Sequence, residues 1–147
     1  MADLVFNVSL HELPRATWQS GPLDVRSLLL SSAETDEALR DHEDIAALLA
    51  GSSVEVVTMT SYARITHTSE TLAIDNGNNW VNFGADDAAF GVVGNGANET
   101  TSDIIVLDWG GTDATSEPVS LHDAVFLSDG SSVTIQWASG VMWRAAG

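Results

Sequence analysis

The segment "ETDEALRDHEDIAALLAG", residues 34–51, sets six carboxylates in its first eleven residues and then turns almost wholly apolar. Carboxylates at that density could ligate a metal or exchange protons, so where they sit on the local structure decides between chemistry and solvation. At the 100° per residue of a helix, Leu39, Ile45, Ala46 and Leu49 fall on one broad arc with His42 among them, while Asp36, Glu37, Glu43 and Asp44 lie round the back. The spacing predicts a helix whose acids face water and complement the positive end of its dipole. Ser31 with Glu34 fits a capping box, Asp41 would cap a shorter version, and Gly51 supplies the stop.

The other chemistry-bearing residues form no working set. "DNGNNWVNFGAD", residues 75–86, has oxygen side chains at the first, fifth and twelfth positions of a calcium loop. Its third position is Gly77, its sixth is Trp80, and it closes on Asp86 instead of a bidentate glutamate, so a hairpin turn is expected. His11, His42, His67 and His122 make no H-x-x-x-H pair, and each is expected at the surface or in a cap. His122-Asp123 has no G-x-S-x-G elbow to serve. A phosphate-binding P-loop needs a lysine, and "GVVGNG" does not give G-x-G-x-x-G. The sequons Asn7-Val8-Ser9 and Asn98-Glu99-Thr100 are read as coincidence. Without cysteine there is no thiolate zinc site, no disulfide and no cysteine nucleophile. The expectation is a protein with no catalytic residue, no cofactor and no metal.

Charge narrows the partners. Against 21 Asp and Glu stand five arginines, Arg15, Arg26, Arg40, Arg64 and Arg144, with no lysine, for a net charge of -16. Such a surface repels nucleic acid and anionic membranes. Self-repulsion of this size is relieved by concentrated salt, where the Debye length falls to roughly 3 Å at 1 M. The composition thus suggests a salt-loving source, such as a haloarchaeon or one of its viruses, with a mildly acidic protein of a GC-rich host as the alternative. The start lacks a basic n-region with an apolar h-region, and no stretch approaches the roughly 20 apolar residues of a membrane span. The chain is expected to remain in the cell or to leave inside something larger.

These residues must be positioned mostly by strands. "DLVFNVSL" alternates as an opening strand, "HELPRATWQSGP" breaks it with two prolines and a glycine, and "LDVRSLLLSS" reads as a buried strand or the lead into a helix. After Gly51 come short segments rich in β-branched and aromatic residues: "SVEVVTMTSYARITHT", "TLAIDNG", "NNWVNFGA", "SDIIVLDW", "HDAVFLS", "SSVTIQWASG" and "VMWRAA". Asn76-Gly77 and Asp129-Gly130 mark two hairpins with type I′ turns, and residues 84–102 and 110–118 read as long polar loops. The predicted fold is mainly β, an antiparallel β-sandwich or Greek-key barrel-like domain with one short α-helix at about residues 34–50. One domain spans 1–147, with 1–22 as an extended segment that could contact a neighbouring subunit. Of five tryptophans, Trp137 fits the core, whereas Trp18 and Trp143 are the interface candidates, with Phe90, Asn95 and Asn98 of the 84–102 loop.

"DEALRDHEDIAALLAG", "SYARITHTSETLAID", "TSDIIVLDWGGTDATSEPVSLHDAVFLSDGSSVTIQW" and the Gly-then-Arg-Ala ending resemble a family of small structural, head decoration-like proteins of tailed viruses. The family's expected patterns are a helix ending "DLAALLAG", a "YARKTLT" strand, a "GGTDADIIPLTxHDF" stretch and a "TPDGSDITAQF" hairpin. The resemblance covers most of residues 36–147. "YARITHT" departs from it by lacking a basic residue after Arg64, and "GGTDATSEPVSLHDAVF" reaches its apolar segment from Asp113 by another route. The resemblance implies a virion protein at the capsid surface, assembled in the host cytoplasm, that binds the major capsid protein as a homo-oligomer, with a trimer suggested by analogy. A turret, vertex or tail component that attaches to host-surface glycans is the alternative. A hydrolase using scattered carboxylates has no ligand spacing behind it.

Overall fold

The run Ser27-Leu28-Leu29-Leu30 resolves the choice between strand and helix, because all four residues are fully buried, as a strand covered on both faces requires. They form the middle of β2 (Val25–Ser32). The computed structural model describes residues 4–5, 24–78 and 80–146; the rest of the expected N-terminal segment, Trp18 included, lies outside the described residues. β8 (Asp103–Asp108) pairs with β2 in unbroken antiparallel register, from Val25↔Asp108 to Leu30↔Asp103. β9 (Glu117–Asp123) pairs with β8, and the short β1 (Leu4–Val5) pairs with β9.

The other side of β2 is sealed less simply. β3 (Val54–Glu55) and β4 (Ile65–Thr66) both lie antiparallel to it, with Leu30↔Glu55 and Ser27↔Ile65 in register. They are two pieces of one edge strand, and residues 56–64 leave the sheet between them. That departure leaves the Leu29 N–H without a strand carbonyl, and the Tyr62 hydroxyl accepts it at 3.0 Å.

β6 (Trp80–Gly84) runs between β5 (Thr71–Asp75) and β11 (Trp143–Ala146), and β7 (Ala88–Val92) pairs with β10 (Ser132–Ile135). These smaller antiparallel sheets pack on one face of the main sheet, joining Leu29, Ile104, Val106 and Val119 to Phe83, Phe90, Trp137 and Trp143. The opposite face, Leu28, Leu30, Ile105, Leu107 and Leu121, is covered by Leu39, Ile45 and Leu48 of the helical segment. The fold is mainly β and sandwich-like, as the strand pattern predicts.

Several local expectations change. The single helix at 34–50 is two, α1 (Asp36–Arg40) and α2 (Ile45–Ala50). Asp44 adopts an extended conformation and its Oδ1 accepts the Ala47 N–H at 2.7 Å, so it starts a new helix instead of continuing the first. The phase resets there, and Leu48 is buried where Leu49 was expected. Ser31 lies in β2, so neither expected cap is used. Gly51 does end α2, but with a negative φ; a Cβ there would come within 2.5 Å of Glu34 Oε1.

Glu34 is the acid that does not simply face water. It accepts the Ser52 N–H at 2.9 Å and lies 2.6 Å from His42 Nε2, and the Ser52 bond followed by His42 holds its pKa below the usual glutamate range.

Asn76 and Gly77 connect β5 to β6 without positive φ; Asp75 Oδ1 instead accepts the N–H groups of Gly77 and Asn78 at 3.0 and 3.1 Å. Gly130 has the expected positive φ, yet its flanks do not pair with each other. Leu127 bridges to Thr100, and β10 pairs with β7, a strand inside the expected 84–102 loop. The 110–118 loop holds a 3-10 turn at Asp113–Thr115 and the start of β9.

Candidate functional site

His67 is buried, against the expectation of a surface or capping role. Its Nε2 lies 2.7 Å from Ser27 Oγ, and its Nδ1 donates to the Asp86 carbonyl at 3.0 Å, with Asp86 Oδ1 3.4 Å away. This is the order of a Ser-His-Asp relay. Ser27, however, is 0% exposed in the middle of β2, so no substrate carbonyl can reach its hydroxyl. The Asp86 carboxylate is also taken by the Thr68 N–H at 2.6 Å and the Thr68 hydroxyl at 3.0 Å; burial opposes its ionisation, but these bonds and His67 leave its pKa lowered. The set ties residues 67, 68 and 86 to the main sheet. Nothing in the local sequence announces it, since the partners come from separate elements.

A groove of about 500 Å³ opens between the end of β9, residues 135–138 and residues 141–144. His122 lines it, with Nε2 3.0 Å from Ser120 Oγ and its ring tilted against Trp137. Its walls are committed to the fold. Trp137 Nε1 donates to the Asp86 carbonyl at 3.0 Å, and Trp143 stacks on Phe83 at 3.6 Å between ring centres. Arg144 lies over Trp80 and donates to Asn82 Oδ1 at 2.9 Å. Among the described residues no group of three His, Asp or Glu could hold a metal ion.

The densest charged network gathers the segments that sequence reading singled out separately. Arg64 donates to Glu55 through Nε at 2.8 Å and Nη2 at 2.6 Å, and reaches Asp113 through Nη1 at 2.5 Å and Nη2 at 3.1 Å. Bonding to Glu55 first, then Asp113, holds the guanidinium firmly protonated against its partial burial. Tyr62 donates to Glu55 Oε1 at 3.0 Å, and burial, followed by the Glu55 charge, pushes the phenol well above its ordinary pKa. One chain of bonds thus runs from the Leu29 N–H through Tyr62, Glu55 and Arg64 to Asp113. Compared with family models, curated proteins and solved structures, the chain finds no match.

Beyond this network three loops are stitched together. Glu99 Oε2 accepts the N–H groups of Val57, Thr58 and Met59 at 3.2, 2.8 and 3.1 Å and the Thr58 hydroxyl at 2.8 Å. Burial opposes this carboxylate's ionisation, but the donors outweigh it and its pKa is lowered. Thr60 exchanges backbone bonds with Gly94 and Ala97, and the Glu99 backbone bonds both the side chain and the N–H of Ser128. With its amide turned so that the nitrogen faces them, Asn98 donates to the carbonyls of Gly94 and Ser128.

On this knot stand the most exposed large apolar residues described: Val57 at 77%, Val125 at 76% and Leu127 at 61%. Of the residues expected at an interface, Asn95 and Asn98 are exposed here, Asn98 as a staple. Phe90 and Trp143 are not surface rings. They are 8% and 7% exposed, Phe90 stacked with Tyr62 and Trp143 with Phe83. Trp137 lies in the core as its strand pattern suggests.

Proposed function

We propose that this chain is a structural component of a tailed-virus particle, bound to the major capsid protein at the capsid surface, where it decorates or stabilises the head. In this reading it is assembled in the host cytoplasm, acts without catalysis or cofactor, and binds neither nucleic acid nor membrane. The observation that carries the reading is the Arg64 network. "SYAR" and "GGTD", segments through which the chain resembles such proteins, meet in one ion-paired brace that closes the sheet edge. Signature residues spent on the framework suit a protein whose task is to present a surface.

Charge supports the same reading. Arg26 lies over Trp109 and donates to Asp24, Arg64 is held by Glu55 and Asp113, and Arg144 lies over Trp80. These cations serve the chain's own fold and offer little to a polyanion. The deciding experiment is the copy number in purified virions by quantitative mass spectrometry, referenced to the major capsid protein. A ratio near one, or a simple fraction of it, is expected. A few copies per hundred would move the protein to a vertex or tail, and none would end the reading.

A further inference from the structure

We infer that the knot of loops carrying Val57, Val125 and Leu127 is the surface through which one copy of this chain docks onto another. In a chain of net charge -16 most surfaces carry free carboxylates, and burying an unpaired one in a contact costs its hydration at any salt concentration, so a stable contact between copies must form where they are absent. Residues 56–63, 93–101 and 124–131 contain only two acids, Glu99 and Asp129. Glu99 turns onto the backbone of Val57–Met59, and Asp129 Oδ1 accepts the N–H of Ser131 in its own turn.

The segments that carry these apolar side chains are joined by short links. The Glu99 carboxylate holds Val57, the next residue Thr100 bridges to Leu127, and Val125 shares the outward side of the extended 124–127 segment with Leu127. The bonds among the three loops fix the surface beforehand, which lowers the entropy lost on docking. A basic partner would find few carboxylates here, and an anionic partner would find no cation in these loops. A second copy, as neutral and apolar at this face as the first, fits both requirements. This inference does not depend on the particle reading.

The test uses the full chain in multimolar potassium chloride, varying protein concentration at fixed salt and following mass by sedimentation equilibrium. Wild type should rise above the mass of one chain, and Val57→Asp with Leu127→Asp should weaken association roughly 100-fold or more, because burying an unpaired carboxylate in the contact costs its hydration, a cost that salt does not screen. Circular dichroism checks that the variant keeps its fold. Since the chain has no cysteine, Leu127→Cys gives a second readout that leaves the surface uncharged. Maleimide labelling of that thiol should slow as protein concentration rises, while labelling of Glu70→Cys, at another exposed site, should not. A wild type that stays monomeric, an aspartate variant that associates as wild type does, or labelling of Leu127→Cys that ignores concentration would overturn the inference.

Discussion

Under α1 and α2 the main sheet meets aliphatic side chains, with Leu28, Leu30, Leu39, Ile45, Leu48, Ile105, Leu107 and Leu121 all sealed from water. On its other face aromatic rings are interleaved with polar residues, Tyr62 and Glu99 supply bonds that regular strands would otherwise make, and His67 reaches across to Ser27. The first face is held by packing, which depends on volume and little on pH. The second is wired, and its stability depends on the ionisation of a few named groups. The exception proves instructive. Asp103 follows the Ile105 and Leu107 side of β8, is buried with Oδ1 unpartnered, and has its pKa raised by burial first and then by Asp123 nearby, against a bond to Ser102.

The contrast can be broken from the packed side first. Leu28→Ala should cost about 3 kcal/mol, read as a lower urea midpoint, with little dependence on pH. Arg64→Met should follow at about 2 kcal/mol, because it keeps the apolar stem but leaves Glu55 and Asp113 facing each other in a half-buried place. Tyr62→Phe should cost roughly 1–2 kcal/mol, since it removes the acceptor of the buried Leu29 N–H and the donor to Glu55. A smaller loss from the tyrosine than from the arginine would fit a network centred on charge; the reverse order would make the backbone bond the main element.

The smallest effects should separate the faces by pH. Glu99 has a lowered pKa in the folded state, so its contribution is present above the usual glutamate range and is lost as pH falls through its folded value. Glu99→Gln should therefore cost roughly 1 kcal/mol at neutral pH and progressively less in acid. Asp103 has the opposite sign: its raised pKa favours the fold below the usual aspartate range, and that advantage is lost as pH rises through the folded value. Asp103→Asn should stabilise by about 1 kcal/mol at neutral pH, with the gain shrinking near about pH 4. Urea unfolding of both variants at the two pH values would show it; parallel slopes would remove the distinction.

The packed face was the more legible in sequence, for a physical reason. "SLLLSS" and "SDIIVLDW" are continuous apolar runs, and such runs can be buried only between two layers. Leu39 and Ile45 likewise sit where a helical wheel places them, although the break at Asp44 depends on a carboxylate choosing a backbone N–H over water. The wired face was hidden because its partners are distant in the chain. Ser27 and His67, or Thr58 and Glu99, share no local period, and neither do Arg64 and Asp113 at the edge beside the helices. Trp143 was expected outside because it lies near the C-terminus and Phe90 because it falls in the glycine-rich 84–102 loop, and the strands β11 and β7 turn both rings inward. Of the two expected hairpins, Asn76-Gly77 does join paired strands although Asp75 supplies an alternative to positive φ, whereas Gly130 has the positive φ but feeds a strand whose partner is β7, so its hairpin does not form.

The broken edge at β3 and β4 has a further consequence. In brine, repulsion between carboxylates is screened within a few ångströms, so negative charge is a weak guard against the growth of fibrils from exposed strands. The excursion at 56–64 offers no continuous row of free N–H and C=O groups on this side of the main sheet, because Tyr62 and Glu99 already occupy the backbone donors of Leu29 and of Val57–Met59. Resistance to amyloid-like stacking along that edge is thus built into backbone geometry, and it should persist at salt concentrations where electrostatic protection has faded.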